Sequence, residues 1–283
     1  MFYPNIYKKE HNKREETNMK IGFIGLGNMA TAIMGGLLAQ KIAEPSDIIG
    51  YDKFEAAAKK AVDNYKITTV TDEKSVAETA DVLFLAVKPN VLPEVLPKIG
   101  PFLNKETIVI SIAAGKTLAF LEDGLGRKDL KIVRCMPNTP ALVLEGATGA
   151  CANANVTKED MDVAMKILGA FGKASVVPEK LMDVVVGISG SSPAYVFLFI
   201  EAMADAAVAA GMPRAQAYEF SAQAVLGSAK LLLETGKHPG ELKDMVCSPG
   251  GTTIAAVKVL EEMGFRAAVM DAVEACIEKS KNL

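Results

Sequence analysis

From residue 19 to about residue 178, short apolar runs rich in β-branched residues alternate with longer stretches of helical spacing. Runs at 20–24, 48–51, 68–70, 82–86, 108–112, 131–135 and 175–177 read as buried strands, and the ambiguous stretch 147–152 fits one more. Helical patterns at 28–40, 55–64 and 158–171 lie between them, which predicts successive βα units on a parallel sheet. After residue 178 the turn residues thin out, and Ala, Leu, Met and Glu recur at helical spacing over 194–210, 214–233 and 253–263. This half reads as all α. Within it, AYVFLFIEAMADAAVAAGM is apolar on most sides, so it must be buried in a large helical core or against a second subunit. An intertwined dimer is the expectation drawn from it.

The first 18 residues, MFYPNIYKKEHNKREETN, break the pattern. They lack an apolar core and a small-residue cleavage site, so they are no secretory signal. Either they form a disordered polar extension, or the start is assigned too early and Met19 is the initiator. The second is favoured because Met19 and Lys20 lead straight into the first strand. The division expected is therefore an excluded segment 1–18, a first domain 19–178 and a helical domain 179–283.

The first strand runs at once into Gly25-Leu26-Gly27-Asn28-Met29-Ala30, a G-x-G-x-x-A segment opening a helix. Gly25 permits the tight turn, Gly27 lets a pyrophosphate approach the backbone, and Ala30 permits close helix–strand packing, with the helix N-terminus supplying N–H groups for phosphates. With Ile24 before it, this segment predicts a Rossmann-type dinucleotide site for NADH or NADPH. Asp52 ends the second strand, where a carboxylate can accept from ribose hydroxyls and repel a 2′-phosphate. Lys53 could offset that repulsion, and Asp52 could equally cap the following helix. Ala86, Val87, Lys88 and Pro89 end the Val82 strand, where open α/β sheets bind ligands. Lys88 reads as a phosphate or ribose contact or as a solvated loop cation. Ser111 to Gly115, with Ala113 in the middle, is small enough for a flat nicotinamide ring to lie close. Arg134-Cys135-Met136-Pro137-Asn138-Thr139-Pro140 reads as a stiff loop pointing polar groups into the same crevice.

Composition narrows the chemistry. A chain of 283 residues that is 50% apolar can bury a large core and form two domains. A net charge of −3 with both signs interspersed gives no footprint for nucleic acid. Uninterrupted apolar runs are far shorter than a membrane span. The four cysteines form no C-x-x-C pair, which fits thiols in a reducing cytoplasm. Two distant histidines, His11 and His238, leave almost nothing from which to build a transition-metal site or a Ser-His-Asp triad.

The second polar constellation is Cys247-Ser248-Pro249-Gly250-Gly251-Thr252-Thr253, again at a helix start. Ser248, Gly250, Gly251, Thr252 and Thr253 offer backbone N–H groups and hydroxyls, more than a capping loop requires, and suit a small anion such as a carboxylate. Gly187-Ile188-Ser189-Gly190-Ser191-Ser192-Pro193 resembles a serine-nucleophile elbow only superficially, because Ser191 stands where the last glycine should be. It reads as a pocket wall or as tight helix packing.

Taken together, GFIGLGNMA, DVLFLAVKP, SIAAG, RCMPNTP followed by Glu145-Gly146-Ala147-Thr148, SGSSPAY and HPGELKDMVCSPGGTT resemble, in this order, the pyrroline-5-carboxylate reductases. The resemblance implies an α/β fold: a Rossmann-type doubly wound sheet followed by an all-α dimerisation domain, in some members with dimers assembled into larger rings. It implies NAD(P)H-dependent reduction of 1-pyrroline-5-carboxylate, a cyclic imino carboxylate, to L-proline, the last step of proline biosynthesis. By position it makes Thr253 the residue that hydrogen-bonds the ring nitrogen, and the backbone from Ser248 to Thr252 the grip on the carboxylate. Glu73 stands where the family commonly has Asn near the adenosine ribose, so cofactor preference does not carry over. A β-hydroxyacid dehydrogenase would place a lysine where Val196 stands and a glycine at Ser192. A non-catalytic NAD(P)-binding regulator would not need the polar loop at 248–253.

Overall fold

The computed structural model describes residues 19–282; the segment 1–18, for which two readings stand open, lies outside them. Eight strands form one sheet: β1 (Ile21–Ile24), β2 (Ile48–Tyr51), β3 (Thr68–Thr69), β4 (Val82–Leu85), β5 (Ile108–Ser111), β6 (Lys131–Met136), β7 (Gly146–Ala152) and β8 (Gly172–Val176). Their spatial order is β3-β2-β1-β4-β5-β6-β7-β8, so the direction of winding reverses between β1 and β4. Helices α1 (Asn28–Ala39), α2 (Glu55–Tyr65), α3 (Glu73–Thr79), α4 (Leu92–Ile99), α5 (Leu118–Leu125) and α6 (Lys158–Leu168) cover the sheet.

Strands β1, β4 and β5 are buried along their whole length, as continuous apolar strands covered on both faces must be. Residues of α1 and α6 pack on one face, around Phe23 and Phe84, whose rings stack with centroids 4.9 Å apart. Residues of α3, α4 and α5 close the other over Leu83, Leu85 and Val109. The periodicity does not resolve these last helices because they are short, and α4 carries a proline in its first turn and Pro97 within it.

One expectation needs correction. The sheet is not wholly parallel: β7 runs antiparallel to β6. The connection 137–145 is shorter than the dozen or so residues a parallel crossover requires, so the chain must turn back.

Only helices follow β8: α7 (Met182–Val185), α8 (Ser192–Ala209), α9 (Arg214–Thr235), α10 (Pro239–Val246), α11 (Thr252–Glu262) and α12 (Phe265–Lys281). Residues 187–193 are not a turn before a helix but a wide helical turn joining α7 to α8, in which the Ser191 N–H donates to the Val186 carbonyl at 2.8 Å. Pro193 has no N–H to offer the Ser189 carbonyl four residues back. Asn138 fills the gap: its Nδ2 donates to that carbonyl at 3.0 Å, while its Oδ1 accepts from the Ala147 N–H at 2.8 Å. One buried amide thus fastens the β6–β7 connection to the helical half.

A large helical core is not what one chain builds. Ala204, Ala217, Ser221 and Ser280 are buried, but Phe197 is 64%, Phe220 66% and Met263 80% exposed, with Leu198, Leu233 and Met270 also open. The helical stretch 179–209, in which an 18-residue window has a mean hydropathy of 1.5, is long and apolar enough to cross a membrane by length and composition, which counting uninterrupted runs missed. Its exposed apolar surface continues on α9, α11 and α12, helices that also carry many charges. A covering of like helices accounts for all four.

Replacing Asn138 by Ala leaves a part-buried carbonyl and a part-buried N–H without partners, each costing up to about 1–3 kcal/mol. The expected outcome is a loss of about 2 kcal/mol, or about 4–8 °C in Tm, by calorimetry at fixed protein concentration. An unchanged Tm would show that the amide does not fasten the two halves.

Candidate active site

The turn after β1 is held by the strands on either side. The Gly25 N–H donates to the Tyr51 carbonyl at 2.8 Å, and the Ala86 N–H donates to the Ile24 carbonyl at 2.8 Å. Gly25 has φ +95°, and a Cβ there would lie 2.6 Å from the Ala86 carbonyl oxygen, so no other residue fits without strain. A Cβ on Gly27 would meet nothing within 4 Å, and no side chain caps the start of α1. That combination leaves backbone N–H groups facing open space at a helix N-terminus, which suits a phosphate. The residues present fit a dinucleotide.

Beyond this turn, a cleft of about 480 Å³ spans the reversal point of the sheet. Of the residues picked from the sequence, Ile24, Gly25, Gly27, Asp52, Ala86, Val87 and Lys88 line it. Leu26, Asn28, Met29, Pro89 and Ala113 do not. Leu26 is buried over β2, its Cδ2 2.8 Å from where a Cβ of Gly50 would be, so it anchors the turn from beneath. Asn28 and Met29 form the first residues of α1, and Ala113 is buried past the end of β5.

Sequence reasoning passed over Tyr51, Phe54, Ala57 and the Asn90–Val95 wall. Phe54, 73% exposed directly after Asp52 and Lys53, was the available signal: an aromatic ring left in water at the mouth of a cleft. The wall from α4 has no signature of its own.

Asp52 is neither a free carboxylate nor a helix cap. Its Oδ2 accepts from the Leu26 N–H at 2.7 Å and its Oδ1 from the Phe54 N–H at 2.8 Å, while α2 begins only at Glu55. Acidic groups surround this end of the cleft. Burial first, and then the charge of Glu73, pushes the Tyr51 phenol up, with Asp52 and Asp72 adding to it and Lys98 opposing. Glu94 is held below the ordinary carboxyl range by its 3.0 Å hydrogen bond to Lys98, by that lysine's charge, and then by Lys53.

The loop expected to point polar groups into the crevice does otherwise. Arg134 is buried and pairs with Glu179 at 3.2 Å, and the same Glu179 oxygen accepts from the Leu118 N–H at 2.7 Å. Asn138 is occupied as described. Both serve the junction between the halves, because a buried ion or amide must find its partners in the fold. In the wide turn before α8, a Cβ on Gly187 would come 2.8 Å from Ile277, and one on Gly190 2.9 Å from Met136. Tight packing, not a pocket wall, is what those glycines serve.

The loop at 248–253 is compact and open to solvent. The Gly251 N–H donates to the Ser248 carbonyl at 3.1 Å, and Gly250 takes a left-handed φ of +68°. α11 starts at Thr252 with no side-chain cap. Ser248, Gly250 and Thr252 are exposed, and Gly251 and Thr253 are half-buried. None of them lines the cleft. His238 caps α10, its Nδ1 accepting from the Gly240 N–H at 3.1 Å, which gives that imidazole a structural duty.

Two family profiles match the chain: pyrroline-5-carboxylate reductase dimerisation over residues 179–283, and NADP oxidoreductase, coenzyme F420-dependent, over residues 20–115. The pyrroline-5-carboxylate reductase of Escherichia coli K12 is 56% identical over 93% of this chain and 98% of its own length. A pyrroline-5-carboxylate reductase structure from Coxiella burnetii superposes with a TM-score of 0.88 at 37% identity, covering 94% of this chain and 98% of the other. The Plasmodium falciparum pyrroline carboxylate reductase with NADP bound gives 0.85 at 35% identity, over 94% and 98%. The open glycine turn at the sheet reversal, the helical half with its unpaired apolar surface and these likenesses across nearly the whole chain agree: the chain belongs to the pyrroline-5-carboxylate reductase family.

Proposed function

We propose that this protein reduces the C=N bond of 1-pyrroline-5-carboxylate to give L-proline, using NADH or NADPH, as the last step of proline biosynthesis. It does so as a soluble cytoplasmic homodimer, alone or within a ring of dimers, in keeping with four unbridged cysteines. The observation that carries the reading is the compact, uncapped helix start at 248–253, a second anion-receiving site separate from the one at Gly27.

Gly25, Gly27 and the N-terminus of α1 hold the pyrophosphate, and Ala86 to Lys88 line the way to the nicotinamide. Bound there, the reduced nicotinamide supplies a hydride to the imine carbon. The N–H groups of Gly250 and Thr252 and the Ser248 hydroxyl grip the substrate carboxylate, with Gly251 shaping the turn between them, which fixes the ring. Thr253 orients the ring nitrogen and holds the proton it requires. The loop has no histidine, lysine or carboxylate of its own, so positioning contributes much of the rate. Because none of its residues lines the cleft of its own chain, the loop of a second copy completes the site.

Purified protein should consume NADH or NADPH on addition of 1-pyrroline-5-carboxylate and form one L-proline per dinucleotide oxidised. A chain that binds dinucleotide but leaves the imine untouched would sink the reading in favour of a regulator. Removing a hydrogen bond to a charged nitrogen costs about 1.5–3 kcal/mol. Thr253→Ala should therefore lower kcat/KM roughly 10- to 100-fold, and Thr253→Ser should recover most of it. Mixed dimers of a Gly25→Val chain with a Thr253→Ala chain should show activity well above that of either parent, since one of the two sites is then intact. Absence of that gain would place the loop and the cleft in the same chain.

A further inference from the structure

The charges around the cleft are uneven, and the unevenness points to how this chain chooses its reductant. Three carboxylates line it, Asp52, Glu73 and Glu94, against two lysines, Lys53 and Lys88. Two of the three are answered. Glu94 has Lys98 at 3.0 Å. Asp52 has the N–H groups of Leu26 and Phe54, one on each oxygen. Glu73 differs: it opens α3 beside the cap residue Asp72 and makes no ion pair among the described residues, and Lys98, the lysine that feels its charge, is already paired with Glu94.

Its position decides what it meets. In a sheet of this winding the adenosine ribose lies beside the end of the second strand, here at Asp52. Glu73 lines that same end of the cleft. A carboxylate can accept from a ribose hydroxyl, but beside a 2′-phosphate it is a like charge in a partly enclosed site, where repulsion is stronger than in water.

We infer that Glu73 discriminates against NADPH, and that Asp52 is a positioning residue that holds the glycine turn for either dinucleotide. The inference rests on the dinucleotide reading of the cleft and makes this chain an NADH-preferring reductase. Asp52, the residue that sequence reasoning would choose for cofactor discrimination, is engaged through both oxygens with backbone. Exchanging it therefore loosens the turn before it relieves any charge.

The test is direct binding without the imine, so that it does not depend on the reaction. The chain has no tryptophan, which suits titrations that follow the fluorescence of NADH and NADPH themselves. The wild-type protein should bind NADH about tenfold more tightly than NADPH, a difference of about 1.4 kcal/mol. Glu73→Gln should reduce that ratio about tenfold through tighter NADPH binding. Asp52→Asn presents an amide N–H where a carboxylate oxygen accepted, so it should weaken both dinucleotides about tenfold and move their ratio less than threefold. A wild-type preference for NADPH, or a ratio that Glu73→Gln leaves unchanged, overturns the assignment of Glu73. A ratio that collapses in Asp52→Asn while NADH binds as before overturns the assignment of Asp52. Failure of both dinucleotides to bind overturns the reading beneath both, whereas good binding without imine turnover leaves this inference standing and removes the proposed reaction.

Discussion

The backbone hydrogen bonds that gather at the ends of β1, β2 and β4 govern the first half of the molecule. The Gly25 N–H is tied to β2, the Leu26 N–H to Asp52, and the carbonyl of Ile24 to the chain leaving β4. Each tie satisfies a group that the turn would otherwise bury without a partner. Together they fix where α1 starts and direct its first N–H groups outward rather than into the sheet. The glycines follow from this constraint: at Gly25 the neighbouring Ala86 carbonyl leaves no room for a side chain, and at Gly50 the anchoring Leu26 lies too close. The cleft is therefore a consequence of how the sheet closes its own hydrogen bonds at the point where winding reverses.

The helical half obeys a different constraint. Its buried positions are mostly small, and its large apolar side chains face outward from one chain. Burial of about 25 cal/mol per Å² of apolar surface is the main force available to order such helices. A second copy can supply it, and association then becomes part of folding rather than an addition to it. Asn138 and the Glu179–Arg134 pair set the angle from which this half leaves the sheet. They connect the association surface mechanically to the strands that carry the cleft.

How much was legible follows from this division. The central strands could be read almost residue by residue, because a strand buried on both faces admits little but apolar side chains, whereas the largely exposed β8 starts at Gly172, three residues ahead of the run at 175–177. The glycine turn was legible because its geometry excludes other residues. The direction of β7 was not visible in its composition, although the short connection before it carried the information. Asp52, read as a ribose acceptor or a helix cap, and Asn138, read as pointing into the crevice, both accept from backbone N–H groups; a polar side chain in a loop looks the same in sequence whether it faces a ligand or the backbone. The α4 wall of the cleft left no trace, since its residues are assembled by the fold and share no motif. The loop at 248–253 was legible as a constellation, but that none of its residues lines the cleft of its own chain was not.

The composition of that loop bears on the chemistry. A cyclic imine becomes a good hydride acceptor when its nitrogen carries a proton, and it then bears a positive charge. A fixed lysine beside that nitrogen would repel the reactive form, and a buried carboxylate would stabilise the charged imine more than the transition state in which that charge is being lost. A hydroxyl can accept from the protonated nitrogen before hydride transfer and donate to the amine afterwards. An uncharged loop of small residues, with the carboxylate held by backbone N–H groups, therefore suits this substrate better than the titratable side chains usual in proton transfer. What the loop lacks in acid strength must be made good by geometry, and on the proposed reading that geometry is set by how two chains dock. Such an arrangement ties the rate to the packing of the helical surface, so that exposed residues such as Phe220 and Met263 matter to catalysis without touching the substrate.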